Sequence, residues 1–450
     1  MSYFSLDTIK SESRKLLKLA VPVSIGQLGH VMMGVVDSIM VGKVGAAPLA
    51  AASLVTGLFF LILVLGFGMT MAIPPLVAYD KGSGNIKQCG IVLREGFIVN
   101  TFYSLLLMMI IVLAADLIPY MNQTPEVTSY AVSYMKILGA SAVPMILFQN
   151  HRSFVEGLSD VTPPMIIAVA ANFLNAFLNW LLIFGNLGFQ PLGLDGAGYA
   201  TFATRFLMML SMIGYVHLSG KYSFYFAGQS NRKIDIKMIK KIVRLGIPSG
   251  FQHFFEVSAF SFAAVMIGWM GTVELAAHQI ALNLASVTFM IVMGISSAGT
   301  IRVAEEAGTH IIERTRTAGF TALLLSASIM ACNGIMFFLL RKVLPEFYIS
   351  NAEVIEKASV LLIIAALFQI FDGVQASGLG ILRGLKDVKI PMITTFISYW
   401  AIGIPLGYFL GIGIGLNAVG VWIGLMTALG LVAATLSLRF NFLSKNILYD

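Results

Sequence analysis

The sequence predicts an all-α integral membrane protein: twelve transmembrane helices in two pseudo-symmetric six-helix bundles. Three observations carry this. Of 450 residues, 58% are hydrophobic and only 11% are charged, with mean hydropathy +0.86, whereas a soluble domain has about 25% charged residues. The apolar runs 54–78, 98–115 and 165–184 are long enough to cross about 30 Å of hydrocarbon as helices, and none alternates as a spanning strand of about 10 residues must. Finally, the second half of the chain repeats the first.

Twelve spans follow in order, at 16–42, 46–76, 96–118, 128–151, 163–186, 193–217, 241–267, 272–301, 317–340, 352–378, 390–411 and 416–438. Lys and Arg gather at every second connection: Lys10, Arg14, Lys15 and Lys18; Lys81, Lys87 and Arg94; Arg152; the run from Lys221 to Arg244; Arg302, Arg314 and Arg316; Arg383, Lys386 and Lys389; and Arg439 with Lys445. That places 23 of the 29 basic residues on one side. The positive-inside rule makes this side, with both termini, cytoplasmic, so a multi-pass protein of the cytoplasmic (inner) membrane is expected. The basic balance is thus a topology signal. Binding nucleic acid would need a soluble basic face, and no nucleic-acid partner is expected.

The first fifteen residues have no apolar core, so no cleavable signal peptide is expected; they read as a short cytoplasmic amphipathic lead-in. Cys89 and Cys332 are too few and too far apart for a disulfide or a thiolate metal site. Asn122-Gln123-Thr124 matches a glycosylation triplet of a kind that is common by chance.

The repeat is explicit. Lys18-Leu19-Ala20-Val21-Pro22 returns as Arg244-Leu245-Gly246-Ile247-Pro248, 226 residues later. At the same offset Gly42, Gly45, Leu49-Ala50-Ala51 and Gly68 match Gly268, Gly271, Leu275-Ala276-Ala277 and Gly294. Gly157, Asp160, Pro164 and Met165 match Gly384, Asp387, Pro391 and Met392 at 227, and Gly193-Leu194 and Gly198 match Gly415-Leu416 and Gly420 at 222. An even number of spans per copy makes the repeat parallel, about an axis along the membrane normal. The polar, basic stretch 219–240, with Gly228, Ser230 and Asn231, is the expected boundary between an N-terminal lobe, 1–225, and a C-terminal lobe, 226–450.

Three carboxylates interrupt the apolar spans: Asp37, Glu256 and Asp372. A charge near the bilayer centre costs about 2.5–3.5 kcal/mol or more, so an intramembrane acid marks a functional site by default. Such acids suit the movement of cations or protons. They do not follow the repeat: Asp37 falls opposite Ala263 and Glu256 opposite His30, as expected if the lobes share a scaffold and divide the chemistry. Asn175 and Asn179, four apart, share a helix face, and Thr201 adds a hydroxyl. With Asp37 they make a set that holds an alkali cation, relays a proton, or simply joins helices. Glu256 lies 12 residues from Arg244, about 18 Å deep. Asp372 lies 15 residues past Lys357, so both reach the midplane and are expected to face one cavity. The three acids are the Na⁺ candidates; no resident cofactor is expected.

His253 and Glu256 are spaced i, i+3, and a packing or hydrogen-bonding His is favoured over a metal ligand. His278, Gln279 and Asn283 are candidates for lining a substrate cleft. Arg205, inside the sixth span, pairs with an acid or snorkels. Pro22 and Pro248 free a backbone carbonyl and let their helices bend, or set a static kink. With 24 Met and 32 Phe residues the chain can offer bulky cations an adaptable aromatic surface. No nucleophile or metal set accompanies the acids, so an enzyme is not expected.

The chain resembles the multidrug and toxic compound extrusion (MATE) transporters, most closely the bacterial NorM-like branch. The carriers are Leu19-Ala20-Val21-Pro22, the stretch from Val36 through Asp37-Ser38 to Gly42, Ala276-Ala277-His278-Gln279-Ile280-Ala281-Leu282-Asn283, and Ile381-Leu382-Arg383-Gly384-Leu385-Lys386-Asp387 followed by Pro391. The resemblance implies two six-helix lobes and antiport of organic cations against Na⁺ or H⁺, with membrane lipid around a monomer. It implies Asp37 as the first-lobe acid beside Asn175, Asn179 and Thr201, and Glu256 and Asp372 as the second-lobe acids of the NorM-like branch, a pair the DinF-like branch generally lacks. Relatives carry Tyr near the cation site where this chain has Phe368, which keeps the ring face but loses the phenol oxygen. The rival reading is a lipid-linked oligosaccharide flippase of related architecture. Flippases tend to line the cleft with basic residues, and Arg205 is the main such residue in the expected cleft here.

Overall fold

A computed structural model describes residues 6–226 and 233–445. The linker positions Gly228, Ser230 and Asn231 lie outside the described residues. The described chain is helical, and twelve helices are long and apolar enough to span a membrane: α1 Leu6–Gly42, α2 Ala46–Gly82, α3 Ile86–Ala115, α4 Pro125–Gly157, α5 Thr162–Phe184, α6 Gly193–Leu218, α7 Ile236–Gly268, α8 Thr272–Gly308, α9 Ile312–Leu340, α10 Ala352–Gly384, α11 Lys389–Gly413 and α12 Asn417–Lys445. Several run past the expected spans. Hydropathy detects only the apolar part of a helix, and the expected lead-in before residue 16 is the first part of α1.

Local chemistry sets the ends and breaks. Thr124 caps α4, its hydroxyl accepting from the Val127 N–H at 3.4 Å, with Pro125 in the first turn. Asn351 caps α10 by accepting from the N–H groups of Glu353 and Val354. The side-chain oxygen satisfies amides that have no intrahelical partner. Helix α2 breaks at Met71 and Ala72, ahead of Pro74 and Pro75, where two amide donors are missing. Helix α11 contains π-helical stretches at Ile397–Gly403 and Phe409–Gly413. Its Gly403 and Gly407 let α12 approach closely: a Cβ on Gly424 would lie 2.5 Å from the Gly403 carbonyl oxygen, the small-residue packing that membrane helices favour.

The chain divides into two compact units, residues 25–250 and residues 1–24 with 251–450. The boundaries fall two residues after Pro22 and Pro248, so the first helix of each copy is shared between units. The paired glycines of the repeat explain how. In the 25–250 unit a Cβ on Gly68 of α2 would lie 2.2 Å from the Gly250 Cα of α7. In the other unit a Cβ on Gly294 of α8 would lie 2.5 Å from the Ala20 carbonyl oxygen and 2.1 Å from the Ser24 hydroxyl oxygen of α1. That hydroxyl donates to the Ile291 carbonyl at 3.1 Å. Each glycine lets the leading part of one copy's first helix lie against the second helix of the other copy.

The 25–250 unit has a core built from Val55, Phe59 and Leu63 of α2, Ile111 of α3, Tyr134 and Ile146 of α4, and Ile183 of α5. In the second unit α10 packs against α8, α9 and α12, with Val292, Met330 and Ala376 buried together. The repeated Asp160 and Asp387 close equivalent corners. Asp160 accepts from Lys221 and the Tyr222 hydroxyl, and Asp387 from Arg439 Nε at 2.8 Å.

Candidate functional site

Asp37 sits on α1, partly buried, in the 25–250 unit. Asn179 of α5 donates to its Oδ1 at 2.5 Å, and the Thr201 hydroxyl of α6 donates to Oδ2 at 3.1 Å. The same Asn179 amide also donates to Asn175 Oδ1 at 3.2 Å. The sequence-predicted quartet is therefore one hydrogen-bonded set, because the i, i+4 spacing on α5 points both amides inward. The buried Oδ1 of Asn179 has no hydrogen-bond partner. An orphaned acceptor beside a carboxylate fits a hard cation, which takes oxygen ligands.

Arg205 lies one turn beyond Thr201 on α6. Its Nη1 donates to the Ser141 hydroxyl at 2.6 Å, and its guanidinium covers the Phe59 ring at 5.1 Å. Neither expected alternative describes it: it makes no ion pair among the described residues, and it is held inward by a hydroxyl and a ring. Its charge still acts on Asp37.

The second-lobe acids lie in the other unit. Glu256 on α7 and Asp372 on α10 are both buried; Glu256 lines a small cavity with His253, Ser296 and Arg383, and Asp372 is not among the residues lining it. Gln375 donates to Glu256 Oε1 at 2.7 Å, and the Tyr399 hydroxyl donates to Gln375 Oε1 at 3.1 Å. Tyr399 belongs to the first π-helical stretch of α11. His253 Nδ1 is 3.7 Å from Glu256 Oε2. Gln375 and Tyr399 are absent from the sequence-based candidates. Gln375 was detectable, since it follows Asp372 by three residues on one face; Tyr399 carries no comparable local signal.

The cleft candidates separate. His278 is fully buried, and its Nδ1 accepts from Trp422 Nε1 at 3.1 Å. Phe368 is also interior, packed against Phe260 at 6.0 Å and Trp422 at 5.5 Å. Gln279 and Asn283 are exposed, four apart on one face of α8. Three arginines assigned by sequence to the cytoplasmic flank have buried side chains. Arg152 pairs with Glu156 at 2.6 Å, Arg302 with Glu12 and Glu305 at 2.7 Å each and with Glu306, while Arg383 faces the Glu256 neighbourhood. Arg205 is thus not the main interior base. Among the described residues, no group of three or more His, Cys, Asp or Glu side chains forms a metal cage.

A family model, MatE, matches residues 22–181 and 248–409, which are the two copies of the repeat. The chain belongs to the MATE family of transporters. Solved structures of the same fold include the eukaryotic MATE transporter AtDTX14, with 22% identity, TM-score 0.86 and 96% of each chain covered. A MOP superfamily transporter from Pyrococcus furiosus, described as having a binding pocket of reversed polarity that suggests a different function, has 20% identity, TM-score 0.89 and 96% of each chain covered. A MATE in a straight conformation has 19% identity and TM-score 0.86, covering 97% of this chain and 96% of that one. MATE proteins are multi-pass membrane transporters of small organic compounds, and the family match does not favour the flippase alternative.

Proposed function

We propose that this chain is a NorM-like antiporter of the cytoplasmic membrane that exports amphipathic, mostly cationic organic compounds against inward Na⁺ or H⁺. The observation that carries the reading is the dressing of the intramembrane acids. Asp37 is held by Asn179 and Thr201, and Glu256 by Gln375. These donors partner the carboxylate oxygens, while burial makes an uncompensated charge costly, so such an acid gains by taking up a proton or a monovalent cation. The carboxylate, amide and hydroxyl oxygens around Asp37 are hard ligands, which suit Na⁺ and not a soft metal.

Coupling follows from linkage. A cation that binds one arrangement of the protein better than another shifts the population, and a drug that prefers the other arrangement is released by the same amount. Pro22 and Pro248 lie just before the points where α1 and α7 pass from one unit to the other, which suits a bend that accompanies loading. Monomeric function needs no resident cofactor in this scheme.

The test is ethidium efflux from vesicles carrying the full-length protein, under an imposed Na⁺ gradient without a pH gradient and then the reverse. The reading expects dye movement driven by at least one gradient. Dye movement indifferent to both would overturn it, as a flippase or an uncoupled carrier requires.

A further inference from the structure

The first helix of each copy carries the same exposed basic stripe. Arg14, Lys15 and Lys18 are exposed on α1; 226 residues later, on α7, Lys240, Lys241 and Arg244 hold the same places and are exposed too. The opposite face repeats as well: Leu16 and Leu19 on α1, and Ile242 and Leu245 on α7, are buried. Spacings of three to four residues put each basic set on one helical stripe. The intramembrane acids do not follow the repeat, so positive charge at matched positions belongs to something both copies do.

Elsewhere on the expected cytoplasmic side, basic residues are neutralised within the protein: Arg152 pairs with Glu156, Arg302 with Glu12, and Arg439 with Asp387. On the two stripes only Lys15 has a partner among the described residues, Glu12 at 3.1 Å. The nearest acids are turned elsewhere. Glu12 also accepts from Arg302, and Asp235 accepts from the Lys237 and Met238 N–H groups at the start of α7. Five cationic side chains are therefore left unbalanced. One turn further along, each stripe becomes apolar while staying exposed: Val21 and Ile25 on α1 are 51% and 40% exposed, and Ile247 and Phe251 on α7 are 44% and 43% exposed. From Lys18 to Val21, and from Arg244 to Ile247, is about 5 Å along the helix. Each stripe thus passes from charge to hydrocarbon contact within about the thickness of one headgroup layer.

We propose that each stripe is a docking site for an acidic phospholipid of the cytoplasmic leaflet, one per copy. The phosphate lies against Arg14 and Lys18 in the first, and against Lys240, Lys241 and Arg244 in the second. The acyl chains follow the exposed apolar residues of the next turns. A cytoplasmic leaflet is negatively charged, and each basic residue beside a span contributes about fivefold in affinity for it. A soluble phosphate makes no use of the apolar continuation, which favours the lipid. Neither stripe includes an intramembrane acid, so lipid docking is independent of the coupling ion; it requires only that this face be cytoplasmic.

The test titrates delipidated full-length protein in detergent with phosphatidylglycerol or with phosphatidylcholine of the same acyl chains, counting bound lipids by native mass spectrometry. Two sites are expected, each preferring phosphatidylglycerol by at least about tenfold at low salt. Arg14→Gln/Lys18→Gln is expected to abolish the preference at one site and Lys240→Gln/Lys241→Gln/Arg244→Gln at the other. Lys240→Arg/Lys241→Arg/Arg244→Lys, which keeps the charge, is expected to retain both. No preference in the wild type overturns the proposal, and an unchanged preference in either Gln variant overturns it for that copy. Glycerol phosphate, a headgroup without chains, is expected to leave the lipid bound at equal concentration; displacement would assign the stripes to free phosphate and overturn lipid docking. If a Gln variant fails to fold, the wild type decides. Exposed charges are screened beyond about 10 Å at 0.1 M salt, so the preference is expected to fall as salt rises, and a preference indifferent to salt overturns the proposal.

Discussion

Substituting Gln375 by Leu removes the donor to Glu256 and leaves the Tyr399 hydroxyl without its acceptor. The Gln375 Nε2 to Glu256 Oε1 bond is 2.7 Å long and buried. A hydrogen bond to a charged group contributes about 1.5–3 kcal/mol, equivalent to roughly 10- to 150-fold in a binding constant. The direction of the change identifies the coupling ion. Sodium binds the ionised carboxylate, so losing a donor that favours ionisation raises the Na⁺ concentration for half-maximal ethidium efflux. A proton removes the charge the donor stabilised, so the proton concentration needed falls. Tyr399→Phe is the internal control, because it deletes only the neutral bond at 3.1 Å, worth about 0.5–1.5 kcal/mol. The assay is efflux from vesicles against a titration of each cation at fixed concentration of the other. A shift in Gln375→Leu below about threefold, or a shift in Tyr399→Phe as large as that in Gln375→Leu, would refute the relay from α11 through α10 to Glu256.

Other expectations come from equally specific contacts. Asp37→Asn, Glu256→Gln and Asp372→Asn are each expected to impair ethidium export in cells while keeping wild-type amounts of membrane-inserted protein; full export by all three would remove the acids from coupling. Gly294→Leu forces carbon into space 2.1 Å from the Ser24 hydroxyl oxygen and 2.5 Å from the Ala20 carbonyl, and overpacking costs about 1–3 kcal/mol, so detergent-solubilised protein should melt measurably lower. Arg302→Gln strips a buried cation from Glu12, Glu305 and Glu306, and breaking such a network costs about 3–5 kcal/mol; Glu12→Gln added to it should recover part of the melting temperature. At the corner after α6, the hydrogen bond to Asp160 raises the Lys221 amine above its ordinary value, and burial together with Asp160 raises the Tyr222 phenol. Because both are raised, their contribution is complete below the unfolded values and is lost as pH climbs through the folded ones. The small stability difference between wild type and Lys221→Met, under about 1 kcal/mol for an exposed pair, should therefore hold from neutral pH and vanish only above about pH 10.4.

Much of the architecture was legible because apolar length and charge placement act locally. Twelve apolar runs become twelve spans, and the i, i+4 amides of α5 converge on Asp37. What escaped depends on tertiary geometry. Arg152, Arg302 and Arg383 read as flanking charges because a long side chain at a helix end looks the same whether it faces water or the interior; only Glu156 and Glu12 in space, and for Arg383 the small cavity it lines with Glu256, distinguish the cases. The unit boundaries after Pro22 and Pro248 escaped too, since Gly68 and Gly294 repeat visibly while their contacts, with the other copy's first helix, do not. Tyr399 reaches Gln375 from a π-helical stretch that no ordinary helical period anticipates. His278 and Phe368 read as cleft residues from their spans alone, but Trp422 packs against both in the interior.

The most direct test is the affinity of ethidium for the full-length protein in nanodiscs, measured across a range of Na⁺ concentration and pH. Linkage through the interior acids predicts that saturating cation weakens dye binding by about 5- to 150-fold, and that the combined Asp37→Asn, Glu256→Gln and Asp372→Asn variant binds dye equally at every condition. An ethidium affinity in the wild type that is indifferent to both cations would contradict the account.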